Sequence, residues 1–381
     1  MRIRRLRAEA IINSLGQHTI EVTVNRMFKG SAPLGISKSA KEPKAFPSDT
    51  IPTGIVNRSL HKGLKGMKLE EFKDLEDIEK IFFEFDNTKQ LTKLGSNVII
   101  ALESALLKAM SNNNVWFFLN QSADELPLPL GCCIGGGKHF PGESVDFQEY
   151  LLIPHGEKCS DNILINRLIH KKIERDFNPH GRSYTGGWVC GVDNLNILKY
   201  LTKAAEEFSK DYDLFIGLGI DIAATHFFTG GNYFYRKGKL DRERQIKYIN
   251  SLISNFNLEY VEDPLEENDR TGFGLIKGNL VCGDDVTCTN LEILKEIAGK
   301  INCVSIKPTQ IGSLVKCKQL VDWARENGID TVMSHRSGET NDPLIADLSV
   351  AWKTSFIKTG IVGEGNAAKL KRLKEIEASI K

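Results

Sequence analysis

Beyond about residue 185 the chain repeats one unit: a short apolar run, a polar loop, then an amphipathic stretch. No other feature constrains the fold as tightly. The strand-like runs end at Asp221 (FIGLGID), Glu262 (LEYVE), Asp284 (LVCGD), Lys307 (NCVSIK), Ser334 (DTVMS) and Lys358 (TSFIK). Helical spacing follows most of them, over 241–255, 290–299, 311–327 and 364–379. Successive strand ends lie about one strand-plus-helix unit apart. A strand that returns through a helix lies parallel to its predecessor, and this many units favour a closed barrel.

The first part of the chain is patterned differently. Residues 8–28 alternate apolar and polar, as in Thr19-Ile20-Glu21-Val22-Thr23-Val24, which predicts strands of a small sheet. Residues 69–84 and 95–111 carry helical periodicity. Ahead of them, Lys29 to Thr53 is polar and too long for a tight turn, so it is either disordered or a functional lid. The segment Leu126-Pro127-Leu128-Pro129 marks a boundary. The expected architecture is a (β/α)8-type TIM barrel over 126–381, preceded by a smaller α+β domain over 1–125 with a mobile loop at about 30–53.

Composition excludes several classes. Lysine and arginine balance aspartate and glutamate at 50 − 49 = +1, which removes any electrostatic reason to expect nucleic acid or a membrane surface as partner. The basic start, MRIRRLRAEA, is not followed by the apolar run of a signal peptide. No stretch approaches the roughly 18 apolar residues of a membrane span. None of the eight cysteines forms a CxxC pair, and several sit in apolar runs, so reduced, mostly buried thiols of a cytoplasmic protein are expected.

The polar strand ends carry the chemistry. Taken singly, Asp221, Glu262 or Asp284 is most simply an exposed strand-end carboxylate. Three of them converging at a barrel mouth repel one another unless a cation holds them. All-oxygen ligands, with no Cys or His pair nearby, suit Mg²⁺ rather than zinc. Lys307 ends the next strand, and a lysine beside a divalent ion loses proton affinity and becomes a candidate general base. Lys358 either shares that role or neutralises the acids. The run Ser334-His335-Arg336-Ser337-Gly338-Glu339-Thr340 opens onto a loop, where Arg336 offers a planar fork of donors suited to phosphate and Ser337 adds a hydroxyl.

Ordered motifs then connect the chain to a known family. VEDPLEENDR, CGDDVTCTN, IKPTQIGSL, MSHRSGETNDPLIADLSVA and FIKTG follow one another through the barrel half. NSLGQHTIEVTV, KLGSNVIIALESALLKA, LPLPLGCCIGGGKH and FQEYLLIPHG precede them. Over nearly its whole length the chain resembles the enolase (phosphopyruvate hydratase) family. The resemblance implies an α+β domain followed by a barrel, two Mg²⁺ ions, and dehydration of 2-phosphoglycerate to phosphoenolpyruvate. Position by position it implies Asp221, Glu262 and Asp284 as Mg²⁺ ligands, with Ser37 of the loop completing a second metal site. Lys307 matches the proton-abstracting base and Lys358 the contact to the substrate carboxylate. His335, Arg336 and Ser337 match substrate contacts, the last two to phosphate. His139 and Glu149 match an active-site histidine and acid, with one extra residue between them here.

The chain also departs from the family. Where the family has the glutamate of a GDEGG motif, this chain has Thr185 in Ser183-Tyr184-Thr185-Gly186-Gly187. Threonine is no acid near neutral pH, so Glu149 or His139 is expected to take over. Glu9 and Leu15 stand at two basic positions among the family's dimer contacts, which bears on the expected homodimer. The alternative to an enolase acting on a small phosphorylated carboxylate is a paralogue for another such substrate, or a binding protein with little catalysis.

Overall fold

The computed structural model describes residues 1–36, 38–48 and 50–380. The alternating segment forms an antiparallel sheet of β1 (Leu6–Ile12), β2 (His18–Val24) and β3 (Phe28–Ser31). The period of two places Ile20, Val22 and Val24 on one fully buried face, while Glu21 and Thr23 stay half-buried on the other. The helix Ser96–Ser111 packs on β2 and β3 and also touches the barrel's short helix Pro308–Ile311. Wedged between two layers, it is buried around most of its circumference, from Val98 and Ile99 to Ala105 and Leu106. A Cβ on Gly30 would lie 2.4 Å from the Ala101 carbonyl oxygen, so the approach of β3 to this helix requires glycine.

The remaining strands are β4 (Leu128–Gly135), β5 (Glu149–Pro154), β6 (Gly181–Arg182), β7 (Trp188–Val189), β8 (Ile216–Asp221), β9 (Phe228–Thr229), β10 (Asn232–Tyr235), β11 (Gly238–Asp241), β12 (Tyr260–Glu262), β13 (Leu280–Gly283), β14 (Cys303–Ile306), β15 (Asp330–Ser334) and β16 (Phe356–Lys358). Eight of them close a barrel in the order β4-β5-β8-β12-β13-β14-β15-β16, and β16 pairs back onto β4. The repeating unit accounts for β8 and β12 to β16, which run parallel. The expected helices are present at Arg242–Phe256, Leu291–Ile297 and Glu364–Glu377. The stretch 311–327 is instead two helices, Pro308–Ile311 and Leu314–Glu326, parted by Gly312 at φ 68.

One strand corrects the all-parallel expectation. β5 is antiparallel to both β4 and β8. Residues 136–148 join β4 to β5 with only a short 3₁₀ turn, Gly137–His139, and no crossover helix, so β5 must return against β4.

The barrel interior holds an apolar layer: Leu130, Cys132, Leu151, Ile153, Tyr260, Cys282, Cys303, Val332 and Phe356. The larger core lies between strands and helices and runs on into the N-terminal sheet. All eight cysteines are free and buried. Among the described residues no helix is long and apolar enough to cross a membrane.

Candidate active site

Parallel strands deliver their C-terminal ends to one rim, and the charged strand ends meet there. Asp221, Glu262 and Lys358 close β8, β12 and β16, while Asp284 and Lys307 stand one residue past β13 and β14. Glu149 reaches the same rim from the other direction: it opens the antiparallel β5, in register with Asp221.

Two lysines organise the acids. Lys358 Nζ lies 2.9 Å from Glu149 Oε2, 2.8 Å from Asp221 Oδ2 and 2.7 Å from Glu262 Oε2. Burial disfavours its charge, but Asp221, Glu149 and Glu262 outweigh burial and hold the ammonium well above its ordinary range. Lys307 pairs with Asp284, which also accepts from Gln310 Nε2 at 3.1 Å. Here too burial opposes the charge, and Asp284 with Glu262 raises the lysine. Glu149 is driven up by burial but down further by Lys358 and His139, and ends well below the carboxylate range.

Two cations do not neutralise the remaining carboxyls. Burial and then Asp221 push Glu262 up to about 8, against Lys358. The Tyr260 hydroxyl donates to Glu262 Oε2 at 2.7 Å, whereas the buried Oε1 has no hydrogen-bond partner among the described residues. Asp263 and Asp285 add to the cluster. Burial and Asp284 push Asp285 up to about 8, and Asp263 is raised well above its range by burial and Asp285. One oxygen each of Asp263, Asp284 and Asp285 lies within 4.8 Å of the others. Oxygen-only donors, crowded carboxyls and an unpartnered buried oxygen fit a hard divalent cation.

On the opposite wall, His139 Nδ1 stands 3.5 Å from Glu149 Oε1. Thr185 is buried, its Oγ1 3.2 Å from Ser183 Oγ and 3.6 Å from Cys132 Sγ. Asn366 connects this wall to His335. Its Nδ2 donates to the Thr185 and Val362 carbonyls, which leaves Oδ1 to accept from His335 Nδ1–H at 3.0 Å. That bond sets the tautomer and turns Nε2 to the other side of the ring. Burial lowers His335 to about 4, against the pull of Glu149.

The Arg336 guanidinium is buried, with NH1 3.3 Å from Thr309 Oγ1 and NH2 2.9 and 3.1 Å from the two carboxylate oxygens of Glu42. Ser337 Oγ accepts the Ile36 N–H at 2.8 Å.

A single cavity is lined by Lys307, Glu149, His139, His335, Arg336, Ser337, Lys358, Asp221 and Asp284. Glu262 lies just beneath it, fully buried. Ser37 falls outside the described residues. The strand-end pattern misses Asp263, Asp285, Tyr260, Asn366 and Glu42, as well as Gln148, whose Nε2 donates to Asp221 Oδ2 at 3.2 Å. The doubled acids in VEDP and GDD are a usable signal for the first two.

Similarity to known proteins extends over nearly the whole chain. Residues 3–118 match the family model described as "Enolase, N-terminal domain", and residues 123–381 match "Enolase, C-terminal TIM barrel domain". The chain is 35% identical to the enolase of Methanothermobacter thermautotrophicus, across 99% of this chain and 97% of that protein. It is 34% identical to the enolase of Picrophilus torridus, with 97% of each covered. It is 31% identical to that of Halobacterium salinarum, with 98% of each covered.

Proposed function

The chain belongs to the enolase family, and from that membership we propose how its own residues carry out the family's reaction. The activity is that of a phosphopyruvate hydratase-type lyase: 2-phosphoglycerate loses water to give phosphoenolpyruvate. The observation that carries the proposal is the single cavity in which two lysines, an arginine and a ring of carboxylates face one another.

Lys307 is the base. Against burial, Asp284 raises it in this structure, so the base form is the neutral amine left when that carboxylate serves as a metal ligand. That amine takes the proton from the carbon next to the substrate carboxylate, and the electron pair left behind expels hydroxide from the neighbouring carbon. Lys358 orients the substrate carboxylate, while Arg336 and Ser337 hold the phosphate and His335 lines the wall between them. The departing hydroxide needs a proton. Glu149 is held ionised, so of the His139–Glu149 pair the histidine donates and the carboxylate orients it. Thr185 has no proton to give at that wall.

The family is metal-dependent, and the metal proposed here is Mg²⁺, held by Asp221, Glu262 and Asp284 with Ser37 for a second ion. When bound, such an ion stabilises the negative charge that builds on the substrate carboxylate; a Lys or His base working with Mg²⁺ is already the established pattern of the enolase superfamily. The proposal extends to a division into domains at 1–125 and 126–381, a closing loop at about 30–53, a homodimer, a small phosphorylated carboxylate as the partner molecule, and a cytoplasmic location that suits eight free thiols.

The test follows the ultraviolet absorbance of the enol product formed from 2-phosphoglycerate and Mg²⁺, together with exchange of the abstracted proton in deuterated buffer. Wild type should do both. Lys307→Ala should bind substrate and lose exchange, and exchange at the wild-type rate in that variant would remove Lys307 as the base.

A further inference from the structure

The described residues of the segment 34–42, which are 34–36 and 38–42, meet the cavity through a contact that the reaction chemistry above does not use. Leu34 and Gly338 exchange two backbone hydrogen bonds, at 2.9 and 2.8 Å, and the Ile36 N–H reaches Ser337 Oγ. A Cβ on Gly35 would lie 1.9 Å from Arg336 NH2, so the chain passes directly over the guanidinium. Further on, Ser39 Oγ donates to Glu267 Oε2 at 2.5 Å and Lys41 Nζ to the Glu267 carbonyl at 3.2 Å. Just after these anchors Glu42, its side chain as buried as that of Arg336, places both carboxylate oxygens on NH2.

We propose that Glu42 is a positioning residue for phosphate recognition: its carboxylate fixes the Arg336 guanidinium with one edge toward the segment and the other toward the cavity. This rests on Arg336 being the phosphate contact. A guanidinium cannot shed its charge, and a buried charge takes whichever carboxylate is nearest. Asp284 is also close enough to act on Arg336. Without Glu42, the guanidinium would be drawn toward that carboxylate and away from the phosphate position. Because Glu42 engages NH2 alone and Thr309 engages NH1, the fork keeps a defined plane. Its opposite face lines the cavity beside Ser337, whose hydroxyl is set as a donor by the Ile36 amide it accepts. Phosphate affinity and docking of the segment are thereby linked through one ion pair.

The experiment uses the full chain with Mg²⁺, 2-phosphoglycerate as substrate and inorganic phosphate as competing probe. Glu42→Ala should raise KM and weaken inhibition by phosphate, each about tenfold, the size of one charge-assisted hydrogen bond, with kcat changed far less. Glu42→Gln keeps the shape and one accepting oxygen, and should recover much of the loss. A purely structural role would lower kcat and leave phosphate inhibition at its wild-type strength, which would overturn the proposal. So would a lower KM in Glu42→Ala, which would make Glu42 a competitor of phosphate. Arg336→Gln separates the two levels: if phosphate inhibits that variant as well as wild type, the phosphate role of Arg336 fails. If only Arg336→Gln responds, Glu42 has no positioning role.

Discussion

Glu103→Gln should remove a pH dependence built into the contact between the N-terminal unit and the barrel. Glu103 is fully buried on the helix Ser96–Ser111. Its Oε2 accepts the Leu314 N–H at 2.8 Å, at the start of Leu314–Glu326. The carboxyl of Glu79, on the helix Leu75–Phe85, is close enough to act on it, and Glu79 accepts from Ser313 Oγ. Two neighbouring carboxyls share a proton rather than both ionise. Burial first, then Glu79, pushes Glu103 well above the ordinary range, while the Leu314 amide and Lys316 pull the other way. The nearby Cys317 thiol is itself raised, by burial and by this pair. The folded protein therefore keeps a proton that the unfolded chain releases above about 4.3. The contribution is complete below that pH and is lost as pH rises toward the folded value, at about 1.36 kcal/mol per unit. Within that window wild type should lose up to about 1.36 kcal/mol per pH unit that the variant keeps. Glutamine is an uncharged copy of the protonated acid: its NH₂ donates to Glu79 and its oxygen accepts from Leu314. At ~2.1 cal/mol/K per residue over 381 residues, the melting difference should widen by up to about 2 °C per pH unit inside the window. Urea and thermal unfolding of both proteins at pH 6, 7 and 8 measures it, and parallel pH profiles would refute the shared proton.

Asp284→Asn should weaken Mg²⁺ binding by at least about tenfold in calorimetry, the loss of one charged ligand; an unchanged isotherm would exclude Asp284 from the metal site. Tyr260→Phe removes the hydroxyl on Glu262 Oε2 and should raise the Mg²⁺ concentration needed for half activity about tenfold, without a shift in the far-ultraviolet circular dichroism. Thr185→Glu adds a second carboxyl to the wall of His139 and Glu149 and should raise turnover about 10². In wild type, solvent deuterium should enter recovered 2-phosphoglycerate faster than product forms; if the substitution leaves that ratio and turnover unchanged, His139 and Glu149 already supply the full acid function.

The barrel is legible because the apolar runs of β8, β12, β13, β14 and β16 each lead into a charged residue, at the strand end or one past it, that apolar packing would never select. Asp221, Glu262 and Lys358 stand at strand ends in sequence and in space. The direction of β5 is not legible. Its residues EYLLIP are buried throughout, and an unbroken buried run carries no mark of which way it points. Asp263 and Asp285 are hidden by the rule that neighbours on a strand face opposite ways. Asp263, however, lies just past the strand end at φ 43, and the chain turns there so that both members of the pair serve one cluster. The ion pair of Glu42 with Arg336 joins residues 294 positions apart, and neither local pattern nor spacing contains it.

The apolar layer inside the barrel has a consequence for isotopes. Leu151, Ile153, Cys282, Cys303, Val332 and Phe356 fill the space below the charged rim, and the Tyr260 hydroxyl is directed up to Glu262. The residues of that layer offer no carboxylate, so the charged groups that can pass a proton to or from Lys307 are those of the rim. A hydrogen lifted from the substrate by the proposed base becomes one of three on the Lys307 ammonium, so its return to carbon competes with exchange at the rim. Washout of a tritium label from recovered substrate, set against product formation, then measures how fast the rim passes a hydrogen to solvent.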